Sequence, residues 1–118
     1  MVFTTYGKNL IRDNLSSIIV AMAFGSSGSP DYTEITDISL GNEFLRLNID
    51  SKDATKSTTV VFDTLVPTTD GIGSIFAEVG LFNTATGSAG SVITRSVYPE
   101  TEKTDIHEIN YLYTIKII

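Results

Sequence analysis

A glutamate stands in the middle of an otherwise apolar run, IFAEVGLF from Ile75 to Phe82. Catalysis by Glu78 would need a second acidic or basic partner, and the sequence offers no evident one. The alternative is structural. A lone charge among apolar neighbours is costly unless it is paired or hydrogen-bonded, so the expected partner is Arg46 or Arg95, each of which falls mid-strand.

The other residues able to do chemistry are few. His107, the single histidine, opens the last strand with Asp105 and Glu108 beside it. It has the makings of a general base held by a carboxylate, but a triad also needs a nucleophile on a sharp turn, and no G-x-S-x-G element is present. His107 therefore reads as a surface histidine. Asp50 and Asp53 share the turn DSKDATK, and Asp31, Glu34 and Asp37 cluster upstream. Their spacing matches no EF-hand loop, and Asp is a common turn residue. The pieces GSSGSP, DGIGS and TGSAGS lack the Lys-Ser/Thr of a phosphate loop and read as ordinary loops. Tyr32, Tyr98, Tyr111 and Tyr113 could form an aromatic platform for sugar, although residues two apart on one strand more often bury their rings in a core or a subunit contact. No cofactor and no metal site is expected.

Composition narrows the function classes further. A chain of 118 residues with 42% hydrophobic content is the size of one domain with its own core. It has no cysteine, which removes thiol catalysis, thiolate metal sites and disulfides together. Its net charge of −6 opposes attraction to nucleic acid or anionic lipid. The longest apolar run, Ile18 to Phe24, falls far short of the roughly 20 residues of a membrane span, and the N-terminus lacks the pattern of a secretory signal. Neither nucleic acid nor membrane is an expected partner.

The elements that must position these residues are mostly strands. Thr4 or Thr5 can cap a helix over about Tyr6 to Ser16, where Leu10, Ile11, Leu15 and Ile18 recur near helical spacing. Ile18 to Phe24 reads as the first strand and residues 31–44 as a loop. FLRLNID alternates as a strand, SKDATKS turns the chain, and TTVVFDTLV runs back to Pro67. Strands follow over Ile75 to Phe82, Ser91 to Tyr98 and His107 to Ile118. In the last, His107, Ile109, Tyr111, Tyr113, Ile115 and Ile117 share one face, as a half-buried antiparallel strand requires. On Ile75 to Phe82, one face carries Ile75, Ala77, Val79 and Leu81, and the other Phe76, Glu78, Gly80 and Phe82. Gly80 implies that another segment packs close against the backbone. Six strands after a single helix predict an all-β antiparallel sandwich, one domain over residues 1–118.

Two motifs carry a resemblance. SLGNEFLR upstream and AEVGLFNTATG in the hairpin, followed by SVITRSVYP and an alternating terminal strand, resemble small virion structural proteins of tailed viruses, of the tail-fibre, baseplate or appendage kind. Leu40, Gly41, Glu43 and Arg46 match the upstream motif, and Glu78, Gly80, Leu81 and Phe82 match the hairpin motif; Arg95 is the arginine of the following strand. The resemblance implies a β-sandwich with architectural roles for these residues. It implies no enzymatic activity, a place in the virion, and partners that are other copies of the chain and other virion proteins. The alternative is a lectin-like carbohydrate-binding module whose partner is a host surface glycan.

Overall fold

The computed structural model describes residues 1–27, 39–85 and 92–118. The helix α1 spans Thr5–Ile18. Thr4 is its cap, its Oγ1 accepting from the Gly7 N–H at 3.0 Å, which satisfies one of the N–H groups that a helix start leaves without an internal partner. The helix stops where Ile18, Ile19 and Val20 form a β-branched run, and Ile19 is already extended. The expected first strand therefore begins three residues late. No residue of α1 is fully buried: Ile11 and Leu15 are half-buried, while Tyr6 and Leu10 lie exposed. Polar bonds tie α1 to later segments, among them one from Lys52 Nζ to the Ser16 carbonyl. Asn9 Oδ1 accepts from the Thr58 N–H at 2.7 Å, and Arg12 Nη1 donates to the Lys56 carbonyl at 2.9 Å.

The strands are β1 (Ala21–Gly25), β2 (Glu43–Asn48), β3 (Ser51–Asp53), β4 (Thr59–Val66), β5 (Ile75–Phe82), β6 (Val92–Glu102) and β7 (Ile109–Lys116). The seventh is β3, which falls inside the segment expected to be only a turn. All pairings are antiparallel, in two sheets of order β2-β1-β5-β6 and β3-β4-β7. The fold is thus the expected all-β sandwich with one N-terminal helix.

Between the sheets lie Met22, Phe24, Phe76, Val79 and Leu81 from the first and Val60, Phe62 and Val66 from the second, all buried. Tyr111 joins them with its ring 4.8 Å from that of Phe24. The alternation on β5 is broken at one point. Between Phe76 and Glu78 the register shifts, with Tyr98, Pro99 and Glu100 of β6 standing opposite Ala77 alone. This irregularity accompanies a re-aimed side chain, as bulges commonly do. Phe76 sits in the inner core against Phe24 and Phe44, not on the face of Glu78 as strict alternation requires.

The larger sheet is also covered on its other face. There Ala21, Ala23, Leu40 and Phe82 form a second buried cluster, joined by Val92. Being buried on both sides explains why β1 reads AMAFG, apolar throughout, where a half-exposed strand would alternate. It is this second, smaller layer that holds Glu78.

Candidate functional site

Register builds the site. Ala23 of β1 stands opposite Arg46 on one side and Gly80 on the other, and Gly80 stands opposite Arg95. In the next row Gly25 lies between Glu43 and Glu78. Ala23, Gly25 and Gly80 thus make a floor of small residues between two arginines and two glutamates. At Gly25 a Cβ would run into the Glu78 carboxylate and come within 2.7 Å of the Asn42 carbonyl. At Gly80 it would meet Leu40 Cδ2 at 2.8 Å and Val92 Cγ2 at 2.9 Å, which is the close approach of another segment that the sequence implied.

Glu78 is completely buried. Its Oε1 accepts from the Gly41 N–H at 2.8 Å and from Arg95 Nε at 2.9 Å; its Oε2 accepts from the Asn42 N–H at 2.8 Å and the Ser27 N–H at 3.1 Å. Four donors on two oxygens meet the requirement that a buried charge be paired and hydrogen-bonded. Burial by itself pushes the carboxyl group up. The N–H groups of Asn42 and Gly41, the Arg95 guanidinium and the Ser27 N–H outweigh it, and hold Glu78 below the ordinary carboxylate value. An ionised carboxylate so enclosed is a structural anchor, ill suited to exchanging protons.

Of the two arginines, Arg95 is the one that pairs with Glu78. Arg46 turns the other way along the floor. Its Nη2 and Nε meet Glu43 Oε1 and Oε2 at 2.7 and 2.8 Å, a bidentate pair, and its Nη1 donates to Thr84 Oγ1 at 3.0 Å. The guanidinium carbon lies 3.8 Å from the centroid of the Phe82 ring. Leu40 caps the floor over Gly80, whereas Leu81 points into the main core.

The site therefore joins Leu40, Gly41, Glu43 and Arg46 to Glu78, Gly80, Phe82 and Arg95, leaving only Leu81 on the opposite face. Sequence reasoning missed Ser27, Asn42, Thr84 and the small residues of β1. Ser27 and Asn42 act on Glu78 through backbone N–H groups, which no residue type advertises. The alternation of Ala21, Ala23 and Gly25 was the available signal.

The remaining candidates stay apart from this network. His107 Nδ1 lies 2.8 Å from Thr104 Oγ1 on the surface. Asp50 accepts from the Leu65 N–H and Asp53 from Thr55, each at 2.7 Å or a little more, as turn carboxylates do. The bonds from Thr55 hold Asp53 below its ordinary value. Among the described residues no three His, Asp or Glu side chains gather as metal ligands would, and no helix is long and apolar enough to cross a membrane. Asp31, Glu34, Asp37 and Tyr32 lie outside the described residues.

The other tyrosines do meet. Tyr98, Tyr111 and Tyr113 line an open groove of about 310 Å³ between β6 and β7, with Val79, Ser96 and Thr114. Tyr111 donates to the Tyr98 hydroxyl at 2.6 Å, and Ser96 Oγ lies 3.2 Å from the Tyr113 hydroxyl. Burial, then the bond from Tyr111, raises Tyr98 far above its ordinary value; burial raises Tyr111 too, against the opposing effect of its own bond. Neither hydroxyl is an acid or base near neutral pH. Comparison of the chain with protein-family models and with curated proteins finds no match.

Proposed function

We propose that this chain is a non-enzymatic structural protein of a virion, an oligomeric component of a tail, baseplate, neck or fibre attachment. One observation carries the reading. The two motifs that resemble virion proteins, more than thirty residues apart in sequence, meet in a single buried network whose charged groups bond to one another and to backbone. Such an arrangement fixes geometry and leaves no charged group of the motif poised over a cleft for chemistry, which is what an architectural module requires. Other copies of the chain and other virion proteins are the partners in this reading, with no nucleic acid, membrane or cofactor.

Quantitative mass spectrometry of purified particles of the virus that encodes the chain tests it. A low, fixed ratio to the major shell protein supports a tail or vertex component, and near-parity points to a shell or decoration protein. Absence from the particles overturns the reading.

The tyrosine groove favours the second reading, a carbohydrate-binding module that attaches to host glycan. Its hydroxyls and partly buried rings are of the kind that contact sugars. The Tyr111 ring, however, is packed against Phe24 and Phe76 and cannot offer a free stacking face. Binding on a glycan array that is lost in Tyr98→Ala and Tyr113→Ala would move this reading to the front.

A further inference from the structure

A two-sheet sandwich has four edge strands, and each exposes backbone groups that a second chain can pair with. Among the described residues, three of the four are blunted. β2 carries Glu43 and Arg46 and pairs with β1 through a register shift; β3 is three residues long with Lys52 and Asp53; β6 carries Arg95, Pro99, Glu100 and Glu102 and two register shifts. β7 has only one of these devices, a charge at its end. It pairs with β4 over eight unbroken positions, contains no proline or glycine, and its only charge is Lys116 at the end. Among the described residues no strand lies on its outer side.

The free edge has a definite polarity. Ile117 N–H donates to the Thr58 carbonyl at 2.8 Å just beyond the paired region. Because antiparallel ladders alternate, Ile109, Tyr111, Tyr113 and Ile115 aim their backbone groups at β4, and Asn110, Leu112, Thr114 and Lys116 aim theirs outward. The outward residues also have exposed side chains, Leu112 being 65% exposed.

The sequence of this edge is self-complementary. Residues 108–116 read E-I-N-Y-L-Y-T-I-K. Laid antiparallel on itself with Leu112 at the centre, it sets Glu108 against Lys116, Ile109 against Ile115, Asn110 against Thr114 and Tyr111 against Tyr113. Every outward residue then meets an outward residue, so the hydrogen-bonded pairs close at each one. Shifting by two residues keeps the hydrogen bonds but sets Lys116 against Ile106 or Asn110 and separates the charges. Opposite charges and paired aromatics across strands stabilise a register, and like charges oppose it.

We infer that β7 is the contact of a two-fold homodimer, in which a second copy of this chain adds its own β7 antiparallel to the first with Leu112 on the axis. The two three-stranded sheets become one continuous sheet, the isologous closure most homodimers use. This contact stands on β7 alone and does not depend on the virion reading.

The experiment measures the mass of the purified full-length chain by light scattering and sedimentation across a concentration series. Glu108, Leu112 and Lys116 are exposed, so their variants are expected to keep the monomer fold. The wild type is expected to dimerise. Lys116→Glu, which sets like charges together at both ends, is expected to weaken the dimer about tenfold, and the swap Glu108→Lys with Lys116→Glu to restore it. The chain lacks cysteine, so Leu112→Cys gives a clean test of register: hydrogen-bonded partners lie about 5.5 Å apart at Cα, within disulfide range. It is expected to cross-link on oxidation, while Leu65→Cys, exposed on β4 away from the axis, is not. A chain that stays monomeric, or a dimer indifferent to the charge reversal and without the Leu112→Cys cross-link, overturns the inference. Either outcome leaves the particle experiment above unchanged.

Discussion

Glu78 and Arg95 pair diagonally across two strands: Arg95 stands in register with Gly80, Glu78 with Val97, yet Arg95 Nε reaches Glu78 Oε1 at 2.9 Å. A long side chain can span such a diagonal, and both groups are largely removed from solvent here. The carboxylate holds its other three donors, from Ser27, Gly41 and Asn42, at the same time.

Replacing the charge without changing the shape should expose its worth. Glu78→Gln substitutes an amide N–H₂ for one acceptor oxygen and turns it toward N–H donors, so buried donors lose their partner. A loss of about 3 kcal/mol is expected, read by urea unfolding. Unchanged stability would remove the anchoring role.

Acid should act on the same group. Glu78 titrates below its ordinary value of 4.5, so the folded protein holds the ionised form more strongly than the unfolded chain does. Its contribution is complete above pH 4.5 and declines as pH falls below it, until the folded group itself takes a proton. In this window the wild type should lose up to about 1.4 kcal/mol per pH unit more than Glu78→Gln. Asp53 shifts in the same sense but is present in both proteins, so the difference isolates Glu78. Parallel acid limbs for the two would contradict the assignment.

The floor should tolerate nothing larger than it has. Gly80→Ala places a methyl group against Leu40 and Val92, and a loss of about 2 kcal/mol is expected from overpacking. Gly25→Ala strikes the Glu78 carboxylate directly and should cost at least as much. Combined with Glu78→Gln it should cost less than the sum, because the two share one contact. A double-mutant cycle by thermal or urea unfolding measures this.

Arg46 should not be exchangeable for lysine. Lysine keeps the charge but loses the bidentate fork to Glu43 and the flat contact with Phe82. A loss of about 1 to 2 kcal/mol is expected for Arg46→Lys, against a smaller one for Lys52→Arg on the exposed β3. Equal effects at the two positions would show that the Arg46 geometry contributes nothing.

The strands were legible because their patterning is strong: TVVFDTLV and INYLYTIK alternate between buried and exposed residues as a half-buried sheet demands. The boundary between α1 and β1 was not, since Ile18, Ile19 and Val20 have strand propensity and only the helix ladder, seen in the bond from Ile19 N–H to the Leu15 carbonyl, draws Ile18 into α1. β3 escaped notice because three polar residues carry no period. In the site, the need of Glu78 for an arginine was readable from its apolar neighbours. The choice of Arg95 over Arg46 was not, because it depends on strand order, which places β6 beside β5 and β2 two strands away. The backbone donors depend on where the chain returns, and local pattern is silent about that.

One carboxylate receives both Ser27 and the pair Gly41–Asn42, which brings two well-separated points of the chain together. The Ser26 N–H bond to the Asn42 carbonyl at 3.0 Å and the Asn42 Nδ2 bond to Ser26 Oγ at 2.6 Å fasten the same junction. Glu78 is thus a clasp on three stretches of chain at once, its own strand β5, Ser27 just after β1 and Gly41–Asn42 just before β2, so one ionised group keeps their relative positions fixed.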